Sequence, residues 1–296
     1  MIESGASMAE FEEIQNHRQT AILAFEKQMR DQDILHRDTV KAWLCHFNCE
    51  AQQGNHRDTR SVCKDPGRWL LDDPRFKEWF APDYCSAPFL WLKGIPGAGK
   101  TILASVVVDE ARHVQNSTVA FFYCKYDDER RNSFMAVARS VLAQVLSQNS
   151  HLLPYFHEKA CVSGDAVLSS TAVAEEMLQT ALNSCGRVYL IIDGLDECGQ
   201  KERIKISSLF PRITEALPPE DMDSIRCLFV SQDDGIAGKT LGHLPTIQIT
   251  TENKEDLKDF AAVWHKRIEV KFGELRSNDS HIANIISARA RGRPGG

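Results

Sequence analysis

Eight consecutive residues constrain this 296-residue chain more than any others: Gly94-Ile95-Pro96-Gly97-Ala98-Gly99-Lys100-Thr101. At ordinary glycine usage near 7%, the pattern G-x-x-x-x-G-K-[S/T] arises by chance in about one chain in a hundred of this length. Here it also has the flanks it needs. The apolar run Phe89-Leu-Trp-Leu-Lys93 predicts a buried strand before it, and a helix is expected from Lys100 to about His113. Gly94, Gly97 and Gly99 let the backbone turn tightly, so that N–H groups of a loop that also runs through Ile95, Ala98 and Pro96, which has no N–H of its own, point at one anion. The following helix adds its dipole and its unpaired first N–H groups at the same point. In such a loop Lys100 sets a point charge on the β/γ-phosphates and Thr101 offers a hydroxyl to Mg²⁺.

A second signal is Val188-Tyr-Leu-Ile-Ile-Asp193-Gly-Leu-Asp196-Glu197. An apolar strand ending in a carboxylate is the Walker B arrangement, which places Asp193 beside the metal at a strand's C-terminal edge. Alone it is weak; following a P-loop in the right order it gains weight. Asp196 and Glu197 follow at a distance where a carboxylate could polarise an attacking water, although an acidic pair capping a helix fits the same residues. Gly194 would permit a sharp turn that returns both to the site. At the end of a later strand, Val230-Ser231-Gln232-Asp233, Gln232 could sense the γ-phosphate; an ordinary loop is an equal reading.

Around these motifs the chain alternates short strands (118–123, 188–192, 225–230, 246–250) with helices (134–146, 171–182, 254–272), which implies a parallel sheet flanked by helices, an α/β fold. Residues 8 to 50 read as one helix with apolar residues at Phe11, Ile14, Ile22, Phe25 and Met29. That stripe suits packing on the core, or self-association or a partner protein. The polar stretch 52–60 reads as a loop, and Asp73 with Pro74 reads as the start of a short helix. The expected domains are a helical segment over 1–60, a nucleotide domain over 61–275, and a helical tail over 276–296 that ends without order.

The formal net charge of −6 gives no support to a nucleic-acid partner. No apolar run approaches the roughly 20 residues of a membrane span. Nine cysteines without a Cys-x-x-Cys pair, and no secretion signal, predict reduced thiols and a cytoplasmic setting.

Four blocks then resemble one family. They are Gly67-Arg-Trp-Leu-Leu-Asp-Asp-Pro74 with Phe76 and Trp79, then Leu90 through Ser105 around the P-loop, then Phe121-Phe-Tyr-Cys-Lys-Tyr-Asp-Asp128, and Leu190-Ile-Ile-Asp-Gly-Leu-Asp-Glu-Cys198. Together they are similar to NACHT-type signalling NTPases of the STAND class, nearest the nephrocystin-3-like N-terminal domain of filamentous fungi. The resemblance implies a five-stranded sheet of order 2-3-4-1-5 and a switch that binds ATP (or GTP) with Mg²⁺ and hydrolyses it slowly. It assigns Lys100 to phosphate, Thr101 and Asp193 to the metal, and Asp196 or Glu197 to water activation. A non-hydrolysing nucleotide-dependent scaffold, or a piece of a larger NLR-like receptor, is the alternative. Where many relatives carry Ser-Arg-Pro, this chain has Ser231-Gln232-Asp233, and before the Trp-Leu-Leu block it reads Lys64-Asp65-Pro66-Gly67. Relatives continue beyond the position of Arg289-Ala290 into a winged-helix region and repeats.

Overall fold

The computed structural model describes residues 3–63, 65–81, 84–250, 256, 258 and 262. Lys64, nearly all of the helix expected over 254–272, and the tail over 276–296 lie outside them. The chain forms two compact units, one of residues 1–45 with 150–168 and one of 46–149 with 169–296.

Helix α1, Glu3–Leu44, belongs to the first unit. Its N-terminal part has no apolar cover: Phe11, Ile14, Ile22, Phe25 and Met29 are 44–64% exposed. Packing of that stripe on a core is therefore not what the fold does with it. Toward its C-terminal end the helix meets residues 153–163. His36 stacks on His157 with ring centroids 3.7 Å apart, and Leu168 N–H donates to Trp43 O at 2.8 Å.

The expected continuous helix over 8–50 is broken at Cys45, which sits at φ 43°. A new helix, α2 (Cys49–Arg60), occupies the stretch expected to be a loop. Asn48 starts it by accepting from Ala51 N–H at 3.1 Å. Long-range contacts then override its polar composition. Gln53, 1% exposed, donates to Ser105 O and Asp109 Oδ1 at 2.9 Å and accepts from the Tyr123 hydroxyl. Arg57 and Arg60 both pair with Asp109. These bonds tie α2 into the second unit.

Two short helices follow, α3 (Arg68–Asp72) and α4 (Pro74–Phe80). As expected, Asp73 caps α4, accepting from Arg75 N–H at 2.8 Å, and Pro74 takes the first position. Trp79 is buried and donates to Pro88 O at 3.0 Å. The remaining elements are β1 (Phe89–Lys93), α5 (Lys100–Arg112), β2 (Ser117–Tyr123), α6 (Phe134–Gln148), α7 (Leu153–Ser163, in the first unit), α8 (Thr171–Asn183), β3 (Arg187–Asp193), α9 (Gln200–Glu215), β4 (Ile225–Ser231), α10 (Ile236–Leu241) and β5 (Thr246–Gln248). The strands form one parallel sheet of order β2-β3-β4-β1-β5, as the resemblance implied. β3 and β4 are buried along almost their whole length, which is why they read as continuous apolar runs.

Edge strand β2 is covered by side-chain amides. Gln148 accepts from Val119 N–H at 3.0 Å and donates to Val119 O at 2.8 Å. One turn earlier Gln144 does the same with Phe121, at 3.2 and 2.9 Å. Two glutamines spaced i, i+4 on α6 thus imitate a neighbouring strand and satisfy backbone groups that would otherwise be open for pairing. The double substitution Gln144→Ala/Gln148→Ala removes all four bonds. It is expected to lower unfolding stability by about 2 kcal/mol, read from the midpoint of urea denaturation.

Candidate functional site

Parallel register brings several strand ends level. Asp193 pairs with Val230, Tyr123 with Asp193, and Lys93 with both Ser231 and Gln248. The segments leaving β1, β3 and β4 therefore emerge at one carboxyl edge, where open α/β sheets place their ligands. Trp91 fixes two of these strands, donating through Nε1 to Ser231 Oγ at 2.9 Å inside the core.

The loop from β1 to α5 turns through two left-handed glycines, Gly97 at φ 75° and Gly99 at φ 76°, a conformation that costs side-chain-bearing residues more. Gly94 is confined as well, since a Cβ there would stand 3.2 Å from the Ile249 side chain. Lys100 opens α5 and folds its ammonium back over the loop, donating to Gly94 O at 2.9 Å and Ile95 O at 3.0 Å. Partial burial lowers its pKa, and the charges of Asp196, then Asp193, then Glu197 oppose that shift. All three carboxylates expected at the site are thus close enough to act on one lysine.

Asp193 is 4% exposed. Burial raises its carboxyl to about 7, against the opposing pull of a hydrogen bond with Thr101 and the charge of Lys100. Gly194 then turns at φ 71°, and a Cβ on it would sit 2.9 Å from Cys124 O. The turn returns the next carboxylates inward but engages each of them. Asp196 Oδ1 accepts from Gln232 N–H, and Glu197 Oε2 from Tyr126 N–H, both at 3.0 Å. Gln232 therefore meets the site through its backbone.

Arg203, on α9, had no motif to announce it. It donates to Cys198 O at 2.6 Å and to Asp196 O, and pairs with Asp234, so it clamps the turn after β3 to the loop after β4. Lys93 pairs with Asp233 of the same loop at 3.0 Å. Beside the P-loop, on the α2 side, lies a cleft of about 150 Å³ bordered by Thr59, Arg60, Cys63, Pro66, Ile102 and Leu103. Gly67 N–H donates to Asp256 Oδ2 at 2.9 Å next to it. The loop reading of 52–60 hid the α2 side of this cleft.

The donor set fits a hard divalent cation together with a phosphate. Thr101 and Asp193 offer a hydroxyl and a carboxylate, the pairing Mg²⁺ takes when substrate phosphates and water complete its shell. Among the described residues no group of three or more His, Cys, Asp or Glu side chains could cage a metal unaided.

A five-stranded parallel sheet of this order, with a glycine-rich loop carrying β1 into a helix, defines an α/β P-loop fold. Residues 65–232 match the family described as nephrocystin 3, N-terminal, and the chain belongs to it. It is also 34% identical over 146 residues to the vegetative incompatibility protein HET-E-1 of Podospora anserina, a match covering 46% of this chain. That stretch is 10% of the relative's length. Among solved structures, a Walker-type ATPase of Pyrococcus abyssi aligns over 68% of this chain and 58% of its own, at 10% identity and a TM-score of 0.41.

Asp193 makes stability depend on pH in a specific direction. Its folded pKa, about 7, lies above the ordinary aspartate value of 3.8, so between those values the native state holds a proton that the unfolded chain has lost. Its contribution therefore declines as pH rises from about 4 through 7. Asp193→Asn, which carries no charge, should raise the melting temperature of the metal-free protein at pH 8 and leave it nearly unchanged at pH 4, measured by thermal unfolding in EDTA.

Proposed function

We propose that this chain is the nucleotide-binding unit of a signalling switch that takes ATP with Mg²⁺ and hydrolyses it slowly. One observation carries the reading: the loop Gly94-Ile95-Pro96-Gly97-Ala98-Gly99, Lys100, Thr101, Asp193, Asp196 and Glu197 gather at one sheet edge, with three carboxylates acting on one lysine. Family membership and the similarity to HET-E-1 support a signalling role.

Each residue has a task in this reading. Lys100, now bonded to two loop carbonyls, exchanges them for phosphate oxygens. The first N–H groups of α5 have no partners within their helix and face the same anion. Thr101 and Asp193 hold Mg²⁺, which when bound neutralises charge on the phosphates. Asp193 sheds its proton to do so, and metal affinity should therefore rise as pH passes 7. Glu197 or Asp196 receives a proton from the attacking water; each accepts a backbone N–H bond, which orients it. The cleft between α2 and α5 suits the nucleoside. Gln232 lies at the γ-phosphate end of the site and brings no charge.

A non-hydrolysing scaffold is the second reading. It is favoured by those same two bonds, which occupy a carboxylate oxygen of Asp196 and of Glu197. The uncovered apolar stripe of α1 supports an association role, with a second copy or a partner protein, under either reading. No helix among the described residues is long and apolar enough to cross a membrane. A cytoplasmic site of action completes the proposal.

With Mg·ATP the purified chain should release phosphate. Lys100→Ala should weaken ATP binding at least about tenfold, roughly 1.4 kcal/mol, by calorimetry. Glu197→Gln should keep ATP affinity within about threefold while reducing phosphate release at least about tenfold. Release at background from a wild-type chain that binds ATP would select the scaffold. Unchanged affinity in Lys100→Ala would overturn the site assignment, and tighter GTP than ATP binding would overturn the choice of base.

A further inference from the structure

Helix α1 keeps an open apolar face. It runs from Glu3 to Leu44, about 63 Å at 1.5 Å per residue. α7, about 16 Å long, meets it toward the C-terminal end. There His36 stacks on His157, and Val40, Trp43 and Leu44 are buried. At 3.6 residues per turn, Ile22, Phe25 and Met29 continue the face of His36, Val40 and Trp43 toward the N-terminus, and Phe11 and Ile14 extend it further. All five are exposed. One stripe is thus closed by a helix at one end and open along the rest.

We propose that this open face binds the same face of a second copy of the chain, with the two helices antiparallel and the two-fold axis beside residue 20. The spacing of residues sets the match. Phe11 and Met29 stand eighteen residues apart, five whole turns, and so do Glu12 and Arg30. Each pair therefore lies along one line of the helix. A two-fold axis between the helices sets like flank against like flank in reversed order. Phe11 of each copy then meets Met29 of the other, and Glu12 meets Arg30. Between them Ile14 faces Phe25, and the stem of Arg18 covers Ile22 with its head in water. Arg30 holds Glu26 at a loose 3.8 Å and both are well exposed, so its guanidinium is able to take a second carboxylate. Charge also selects the direction. Residues 8–16 carry Glu10, Glu12 and Glu13 and no lysine or arginine, whereas 17–30 carry Arg18, Lys27 and Arg30 against the single carboxylate of Glu26. Parallel helices would set the glutamates against their own copies; antiparallel helices set them against the opposite charge. The paired stretch, 8–32, stops short of His36, so α7 keeps its place on the same face. None of this depends on what the P-loop binds.

Sedimentation equilibrium of the full chain, in EDTA and without nucleotide, tests it. The mass should rise with concentration toward twice that of one chain. The double variant Phe11→Glu/Phe25→Glu alters residues exposed in the single chain, so it should still unfold cooperatively. It should weaken pairing at least about tenfold, because it puts charge into a seam that pairing buries. Glu12→Arg and Arg30→Glu should each weaken pairing at least about threefold. Combined, they should restore it to within about twofold of wild type, since the exchanged charges again meet across the axis. A wild-type chain that stays monomeric at every concentration overturns the proposal, even where α1 then captures a different protein. Self-association unchanged in Phe11→Glu/Phe25→Glu overturns it as well, by placing the contact on another face. A combined charge exchange that pairs no better than the single ones overturns the antiparallel arrangement. Every readout is free of nucleotide, so the result stands apart from the phosphate-release assay.

Discussion

The register between β1, β3 and β4 is the constraint on which the rest depends. A parallel sheet runs all its carboxyl ends to one edge, and a shift of one residue in any strand would turn its inward side chains outward. Here Lys93 stands opposite Ser231 and Asp193 opposite Val230. The P-loop, the Gly194 turn and the Gln232 loop consequently leave the sheet at the same height. Buried apolar residues along β3 and β4 enforce that alignment. The Trp91–Ser231 bond adds a directional contact between β1 and β4.

At that edge the sheet gathers opposite charges, with Asp193 buried and Lys100, Asp196 and Glu197 half-buried. Lys100 lies among three carboxylates and two loop carbonyls, and Asp193 is buried deeply enough for its carboxyl to titrate near neutrality. The surroundings are braced rather than loose. Arg203 ties the turn after β3 to Asp234, Lys93 ties β1 to Asp233, and Gln232 N–H holds Asp196.

The strands and the P-loop helix were legible because local pattern and tertiary role agree there. A buried parallel strand is an apolar run, and the glycine spacing of a phosphate loop has few other uses. α2 was not legible, because Gln52-Gln-Gly-Asn-His-Arg-Asp-Thr-Arg60 has neither apolar periodicity nor strong propensity. Its stability comes from a buried Gln53 and from Asp109, some fifty residues away. The edge cover by Gln144 and Gln148 was hidden for the same reason. Nothing local distinguishes those glutamines from solvated ones, and their partners belong to another element.

The sequence by itself determined the fold class and the approximate place of each strand, since these follow from backbone conformation and short-range order; the last strand, expected over 246–250, ends at Gln248. Only the tertiary structure decided how the site residues are engaged. It set Lys100 on its own loop, Glu197 on Tyr126 and Asp196 on Gln232, and brought Arg203 in as a clamp. The Glu197–Tyr126 and Asp196–Gln232 contacts join segments whose separation along the chain is set by the sheet's crossovers. A hydrogen bond of 3 Å is decided by that geometry and leaves no periodic trace in the residues that make it.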